Sequence, residues 1–303
     1  MKKKIRLLKP VAAVLLFCFL CSGYKIHAEG HDKGKIMTSF YPIHIFAMNV
    51  FKDIPDLEVD CMTASDTGCL HDYQLLVGDM MKLSEADALI VCGAGMESYL
   101  PDIVRQYPDL VIIDCSRGID LLMESENDED FISYNAHTWL DVTNAVQIVN
   151  TIAENAKDLY PQDEIKILDN AEKYTECLSE LDKNIRNQLE PVKGNKIVTF
   201  HDSFPYFANA YGLEIAATIN EEHEEALSPS RLDDVVKAVL AAGSPPLFVE
   251  PQYSNAAAYA IAAETGSEIY ILDPLTTGKL EYSAYENGMM YNVESLLKAF
   301  IDK

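Results

Sequence analysis

The chain has 303 residues, of which 48 are acidic and 24 are basic, so its formal net charge is −24. Such an acidic surface repels nucleic acid and anionic lipid, which argues against a nucleic-acid-binding function. Beyond residue 28 the cysteines are scattered without a C-x-x-C pair, so neither a disulfide framework nor a thiolate metal cluster is indicated.

Residues 1–28 have the layout of a secretory signal peptide. A lysine-rich head precedes an apolar run from Val11 to Cys21, which is too short for a membrane-spanning helix of roughly 20 residues. The protein is therefore predicted to be exported. Lipid attachment at Cys21 and conventional cleavage after Gly23 or Ala28 are both open. Removing residues 1–28 takes away six basic residues and no acid, so the net charge becomes −30.

Apolar runs of strand length alternate with helical stretches along the rest of the chain, as in an α/β fold with parallel sheets. The strands are predicted near 35–40, 57–63, 87–92 and 110–115, and again near 196–200, 213–219, 246–250 and 268–273. The segments IMTSFYPIHIFAMN (36–49) and IVTFHDSFPYFANA (197–210) are similar, which indicates an internal duplication. We therefore predict two similar (β/α)4 lobes, at 31–160 and 195–303.

A long helix is predicted between the lobes, over residues 161–191. No helix breaker lies between Pro161 and Pro191, and apolar residues recur every three or four positions. Such a helix would be roughly 40 Å long and a rigid connector. A detached coiled-coil segment is the alternative, but an isolated stretch between two α/β lobes favours a helix that lies across both.

Four side chains are candidate metal ligands in this arrangement. They are His71 after the second strand, His137 at the start of the last helix of the first lobe, His201 at the end of the fifth strand, and Asp273 at the end of the eighth. Because ligands of open α/β sheets gather at the carboxyl ends of the strands, we predict a metal site in the cleft between the lobes. Three imidazoles and one carboxylate suit Zn2+, and Mn2+ is the alternative.

His137 stands in the segment YNAHTWLDVTNAV (134–146), and an isolated histidine of this kind is more often a packed structural residue. However, Asp141 and Thr143 suit the start of the following helix, and Trp139 suits burial. These neighbours predict the rigid support that a metal ligand needs. The sequence does not identify the acceptor that would orient the ring.

Three other motifs carry less weight. CGAGMES (92–98) lacks the third glycine of a dinucleotide loop, and the adjacent residues of HDS (201–203) cannot converge as a catalytic triad. NEEHEEALSPSRL (220–232) is either a cation-recruiting segment around His223 or a solvated loop before a capped helix.

The mature chain resembles the zinc- and manganese-binding solute-binding proteins of metal ABC importers. The most specific match is HDSFPYFANAYGL (201–213), followed by HTWLD (137–141), and HDY (71–73) and LDPL (272–275) complete the pattern. The resemblance implies two α/β lobes joined by one long helix. It also implies that the metal ligands are His71, His137, His201 and Asp273.

The resemblance also bears on the metal and on the loop before the first ligand. Zinc-type members have histidine at the position of His201, whereas many manganese-type members have glutamate. In the family Asp-Pro usually precedes the first histidine, but Cys69 and Leu70 stand there in this chain. This departure leaves the loop conformation open and places Cys69 among the residues that could lie near the ion.

The expected function is therefore non-enzymatic. We expect capture of a divalent transition metal outside the cell, zinc before manganese or iron, and its delivery to an ABC permease with its ATPase subunit. The protein would be a monomer, lipid-anchored at the outer face of the membrane or located in the periplasm. An exported zinc hydrolase with Glu221, Glu222 or Glu250 as base is the rival, although no H-E-x-x-H motif is present. An adhesin role is compatible with an anchored domain, but no residue specifies a partner.

Overall fold

The computed structural model describes residues 33–71, 73–124, 133–219, 229–252 and 256–302. The predicted signal peptide with Cys21 lies outside the described residues, as do Glu221, Glu222 and His223. Among the helices of the described ranges, none is long and apolar enough to cross a membrane.

The first sheet consists of four parallel strands in the order β2-β1-β3-β4. These strands are β1 (Gly34–Thr38), β2 (Leu57–Cys61), β3 (Ala88–Val91) and β4 (Val111–Asp114). The accompanying helices are α1 (Tyr41–Val50), α2 (Val77–Leu83), α3 (Leu100–Gln106) and α4 (Val142–Leu159). Strand β3 has the sequence ALIV and is buried throughout, as expected for a parallel strand covered on both faces.

Helix α5 (Glu164–Leu189) follows, inside the range predicted for the connector. At 26 residues it is about 39 Å long, and the predicted apolar stripe is buried along its whole length. It packs against α1 and α4, which precede it in the chain. It also packs against the C-terminal helix α9 (Ala284–Phe300). The long helix therefore contacts elements from both halves of the fold.

The second sheet repeats the topology of the first, with strands in the order β6-β5-β7-β8. The strands are β5 (Lys196–Thr199), β6 (Glu214–Thr218), β7 (Leu247–Val249) and β8 (Ile269–Ile271). The helices are α6 (Pro205–Tyr211), α7 (Pro229–Ala241), α8 (Ala256–Thr265) and α9 (Ala284–Phe300). All eight predicted strands are thus confirmed, as are the two parallel sheets and the long helix between them.

The hydrophobic core is shared between the two halves. One cluster joins residues of the first sheet, such as Ile36, to residues that follow α5, such as Phe204, Leu272 and Tyr285. A smaller cluster, which includes Val198, lies beside the second sheet. Residues 33–303 form one compact unit, so the lobe limits at 31–160 and 195–303 stay predictions.

Asn170 is a polar residue on the buried side of α5. Its Nδ2 donates to the carbonyl oxygens of Val50, at 3.0 Å, and Lys52, at 2.7 Å, which lie at the end of α1 and just beyond it. The side chain therefore ties the end of α1 to the connecting helix.

Asn170→Ala is expected to lower the free energy of unfolding by roughly 1–3 kcal/mol, because it leaves buried carbonyl oxygens without their donor. Urea denaturation of the metal-free protein measures this change. The matched control is Asn155→Ala, which removes an exposed amide bonded only within α4, to Thr151. Equal stability of the two variants would show that the Asn170 contact contributes nothing.

His44, inside α1, is buried, and its Nδ1 lies 3.0 Å from Oγ1 of Thr38. Burial lowers the pKa of His44 from 6.5 to about 4, because desolvation disfavours the charged ring. The unfolded chain therefore takes up a proton on this ring before the folded protein does. The stabilisation from a neutral His44 is complete above pH 6.5 and is lost as the pH falls towards 4.

The free energy of unfolding should fall by up to about 3 kcal/mol over this pH range from His44 alone. His44→Gln, which cannot take up a proton, is expected to show a correspondingly smaller fall. Urea denaturation of the metal-free proteins at several pH values gives the difference between the two slopes. Parallel slopes for the two proteins would contradict the assignment to His44.

Candidate metal centre

Four side chains converge where the two halves meet. The ligand-type atoms of Cys69, His71, His137 and His201 all lie within 4.8 Å of one another. The ring centroids are 5.2 Å apart for His71 and His137, and 4.8 Å apart for His137 and His201. We call these four residues the Cys-His cluster. It contains the three predicted imidazoles, with Cys69 as a fourth member in place of Asp273.

Cys69 and His71 come from the loop between β2 and α2. Gly68 turns the chain before them with φ of +86°, a conformation that favours glycine. Leu70 between them is fully buried, while the ligand-type atoms of both flanking residues belong to the cluster. Ser98 Oγ donates to the carbonyl oxygen of His71 at 3.3 Å.

The side chain of Asn135 orients the ring of His137. The Asn135 Oδ1 accepts a hydrogen bond from the backbone N–H of His137 at 3.0 Å and lies 3.2 Å from Nδ1 of the same ring. Because an amide oxygen can only accept, Nδ1 carries the proton and Nε2 carries the lone pair. Nε2 lies 3.4 Å from Sγ of Cys69. The Asn135 side chain is thus the acceptor that the sequence did not identify.

The segment after His137 is rigid, as predicted. Trp139 is fully buried, and its indole N–H donates to the carbonyl oxygen of Pro274 at 2.8 Å. The hydroxyl of Tyr285 donates to the Trp139 carbonyl oxygen at 2.7 Å. Asp141 caps α4 by accepting from the backbone N–H of Thr143 at 2.8 Å, which confirms the predicted cap.

His201 stands just after β5 and is almost completely buried. Its Nδ1 lies 3.0 Å from Oε1 of Glu250, a carboxylate that is itself 1% exposed. Ser203 Oγ contacts the same ring nitrogen and donates to Glu250 at 2.7 Å, and Gln252 donates to the other carboxylate oxygen at 2.8 Å. The carboxylate accepts a hydrogen bond from the Nδ1–H group, so Nε2 is the atom of His201 that can bind a metal.

The electrostatic setting favours the neutral form of His137. Burial lowers the pKa of His137 well below its usual value, and the neighbouring His201 and His71 rings lower it further. Only a neutral imidazole has a nitrogen lone pair for a metal ion. The apo site therefore already holds His137 in the form that binds.

Asp273 lies just beyond the end of β8 and is half-buried. Its Oδ1 accepts from the backbone N–H of Leu275 at 2.8 Å, which closes a turn, and its backbone N–H donates to Asn292 at 2.7 Å. Burial raises the pKa of Asp273, and the negative charge of Glu250 raises it further. The structure thus places Asp273 on the same side of the sheet as Glu250, but outside the Cys-His cluster.

The CGAGMES loop has a structural role. The carboxylate of Glu97 accepts from the backbone N–H groups of Cys92 at 2.8 Å and Gly93 at 3.0 Å. Burial raises the pKa of this carboxyl group to about 7. These two amides are therefore engaged by a side chain of the protein itself.

The sequence did not identify Glu250 and Asn135 as the residues that orient the histidine rings. Glu250 follows β7, so the rule of strand ends that selected His201 also applied to it, although the sequence suggested it as the base of the rival hydrolase. Asn135 follows no strand, and its contact with His137 depends on the local turn. Nothing in the sequence pattern distinguishes it from other loop asparagines.

The fold has two parallel four-stranded sheets of the same topology, and three imidazoles converge where the two halves of the fold meet. This is the architecture of a solute-binding protein. Residues 36–299 match the ZnuA family, zinc-uptake complex component A, periplasmic, and the chain belongs to this family. The resemblance inferred from the motifs is thereby confirmed.

The chain is 26% identical to the zinc-binding protein AdcA of Streptococcus pyogenes serotype M18 over an alignment 321 positions long. The alignment covers 98% of this chain and 61% of AdcA. The chain therefore spans about three fifths of the length of this relative. It is also 26% identical to the manganese ABC transporter substrate-binding lipoprotein PsaA of Streptococcus mitis over 309 residues, 98% of each chain. The structure of the binding protein FpvC from Pseudomonas aeruginosa with Mn2+ superposes with a TM-score of 0.80 at 21% identity, covering 89% of this chain and 99% of FpvC. That likeness supports the fold.

Glu250→Gln is expected to lower the affinity for zinc by roughly 10- to 100-fold, because an amide holds the Nδ1 proton of His201 less firmly than a carboxylate does. Competition with a coloured chelator measures the affinity. Glu264→Gln, on the exposed side of α8, makes the same chemical change away from the cluster and should have no effect. Equal affinities for the two variants would contradict an orienting role for Glu250.

Proposed function

We propose that this protein captures a divalent transition-metal ion outside the cytoplasmic membrane, zinc in the first place, and delivers it to an ABC permease. The observation that carries the proposal is the convergence of three imidazoles, from both halves of the chain, within the 4.8 Å Cys-His cluster. Two of these rings are oriented through Nδ1 by Asn135 and Glu250, which leaves Nε2 for the ion.

The proposed function depends on His71, His137 and His201 as ligands, and the family resemblance adds Asp273 as the predicted fourth ligand. The three imidazoles need little movement, because their rings are already adjacent. Oδ1 of Asp273 accepts from the Leu275 amide, which leaves Oδ2 as the oxygen that would bind the ion.

Zinc is favoured over manganese by the donor set. Imidazole nitrogen suits zinc, whereas manganese prefers carboxylate and water oxygens. The relatives include a protein named as zinc-binding and one named as a manganese transporter component, so manganese is the alternative within the same function, with iron after it.

A binding role is favoured over hydrolysis. A catalytic zinc needs a bound water and a general base beside it. Of the glutamates considered for that base, Glu250 is described, and its carboxylate is engaged by His201, Ser203 and Gln252. A carboxylate used in this way orients a ligand and is not directed at a water molecule.

The remaining parts of the proposal follow from the predicted leader and the family. An exported protein, lipid-anchored through Cys21 or located in the periplasm, meets metal ions before the membrane transporter does. The partners would be the permease and its ATPase subunit, with this protein acting as a monomer. The acidic surface, with a net charge of −30 after removal of residues 1–28, would attract cations over a distance of about one Debye length.

The test is metal competition on the mature protein after stripping with a chelator. Offered limiting zinc and manganese together, the protein should bind one equivalent of zinc and little manganese, as measured by mass spectrometry. His201→Ala should lower the zinc affinity by about 100-fold or more, since a lost ligand costs more than a lost supporting residue. His44→Gln, at a histidine packed inside α1 and outside the four predicted ligands, is the control. Unchanged zinc affinity in His201→Ala would refute the shared site.

A further inference from the structure

The Cys-His cluster contains one group that the family pattern does not supply. Cys69 stands where an aspartate is usual before the first histidine, and its Sγ lies 3.4 Å from Nε2 of His137. This nitrogen is the one left for a metal, because Nδ1 faces Asn135. The sulfur therefore contacts the nitrogen of His137 that is left for a metal.

The distance between these two atoms fits one ion bound to both. Zinc bonds sulfur at about 2.3 Å and nitrogen at about 2.0–2.1 Å, so a tetrahedral site separates the two donors by about 3.6 Å. The observed separation of 3.4 Å is close to this value before any ion is bound. The four ligand atoms of the cluster, all within 4.8 Å, are the number that a closed zinc site uses.

Asp273 is less well placed for the same position. Its carboxylate closes a turn with the amide of Leu275, and Leu275 itself has φ of 59°, a conformation that costs energy for a large side chain. Leu275 is nevertheless buried, so packing holds this turn in place. Among the described residues, the group of ligand-type atoms within 4.8 Å of one another includes Sγ of Cys69 and no oxygen of Asp273.

We propose that the thiolate of Cys69, in place of Asp273, is the fourth ligand, so that one cysteine and three histidines hold the metal. The proposal rests on the proposed function and specifies its donor set. Binding replaces the S–H bond with a sulfur–metal bond and releases the proton to water, with no change in oxidation state. Each zinc ion bound at a pH where the thiol is protonated therefore displaces one proton from Cys69.

The donor set determines which ions this protein selects. Thiolate sulfur is a soft ligand that favours zinc over manganese, which prefers oxygen. A site of one thiolate and three imidazoles thus discriminates against manganese more strongly than three imidazoles with a carboxylate. In this chain, selectivity for zinc depends on Cys69 as well as on His201.

The test uses cobalt as a spectroscopic substitute for zinc in the stripped mature protein. The wild-type protein should show a near-ultraviolet sulfur-to-cobalt charge-transfer band, and Cys69→Ser should lose it together with at least about tenfold of the zinc affinity. Cys177→Ser, which removes an exposed cysteine of α5, should keep both. Asp273→Asn should keep the band and lose less affinity than Cys69→Ser. Thermal unfolding of each metal-free variant shows whether it is folded.

The outcomes separate this proposal from the function on which it rests. If the wild-type cobalt protein lacks the charge-transfer band, or if folded Cys69→Ser binds zinc as tightly as the wild type, Cys69 is not a ligand. In that case zinc binding that still depends on His201 would leave the capture function intact. Loss of the band in Cys69→Ser, with retained affinity in Cys177→Ser, would support the site of one cysteine and three histidines.

Discussion

An imidazole binds a metal ion well only when its other nitrogen is held by an acceptor, and the organisation of this protein follows from that constraint. Asn135 satisfies it for His137, and Glu250 satisfies it for His201. Burial then keeps the His137 ring neutral, since a charged ring would be desolvated and would lie beside other imidazoles. Because burial disfavours the protonated ring, it leaves His137 with the nitrogen lone pair that a metal ion needs.

The contacts that orient the rings also join the two halves of the fold. Asn135, which accepts from His137, donates through Nδ2 to the backbone carbonyl oxygen of Asp202, next to His201. The hydroxyl of Tyr206 donates to the Asn135 carbonyl oxygen, and Trp139 reaches Pro274 beside Asp273. Together with the shared core and α5, these bonds make the geometry of the cluster a property of the whole compact unit.

The sequence predicted what depends on local pattern and on one general rule of α/β sheets. Hydrophobic periodicity located the eight strands and the long helix, and the rule of strand ends selected His71 and His201. The rule of strand ends also placed Glu250 near His201, but the contact between these two side chains depends on how β5 and β7 pair, which the sequence pattern does not show. Asp273 also carries a local turn signal, because an aspartate whose side chain bonds the amide two residues later is a common turn. Its role as a ligand stays a prediction.

The four residues of the Cys-His cluster are connected to the fold in two different ways. Cys69 and His71 are two residues apart on one loop, whereas His137 and His201 are fixed to the interface by Asn135 and Glu250. An ion held by all four groups, as proposed, would gain a chelate effect from this loop, and a shift of that one segment would weaken two bonds at once.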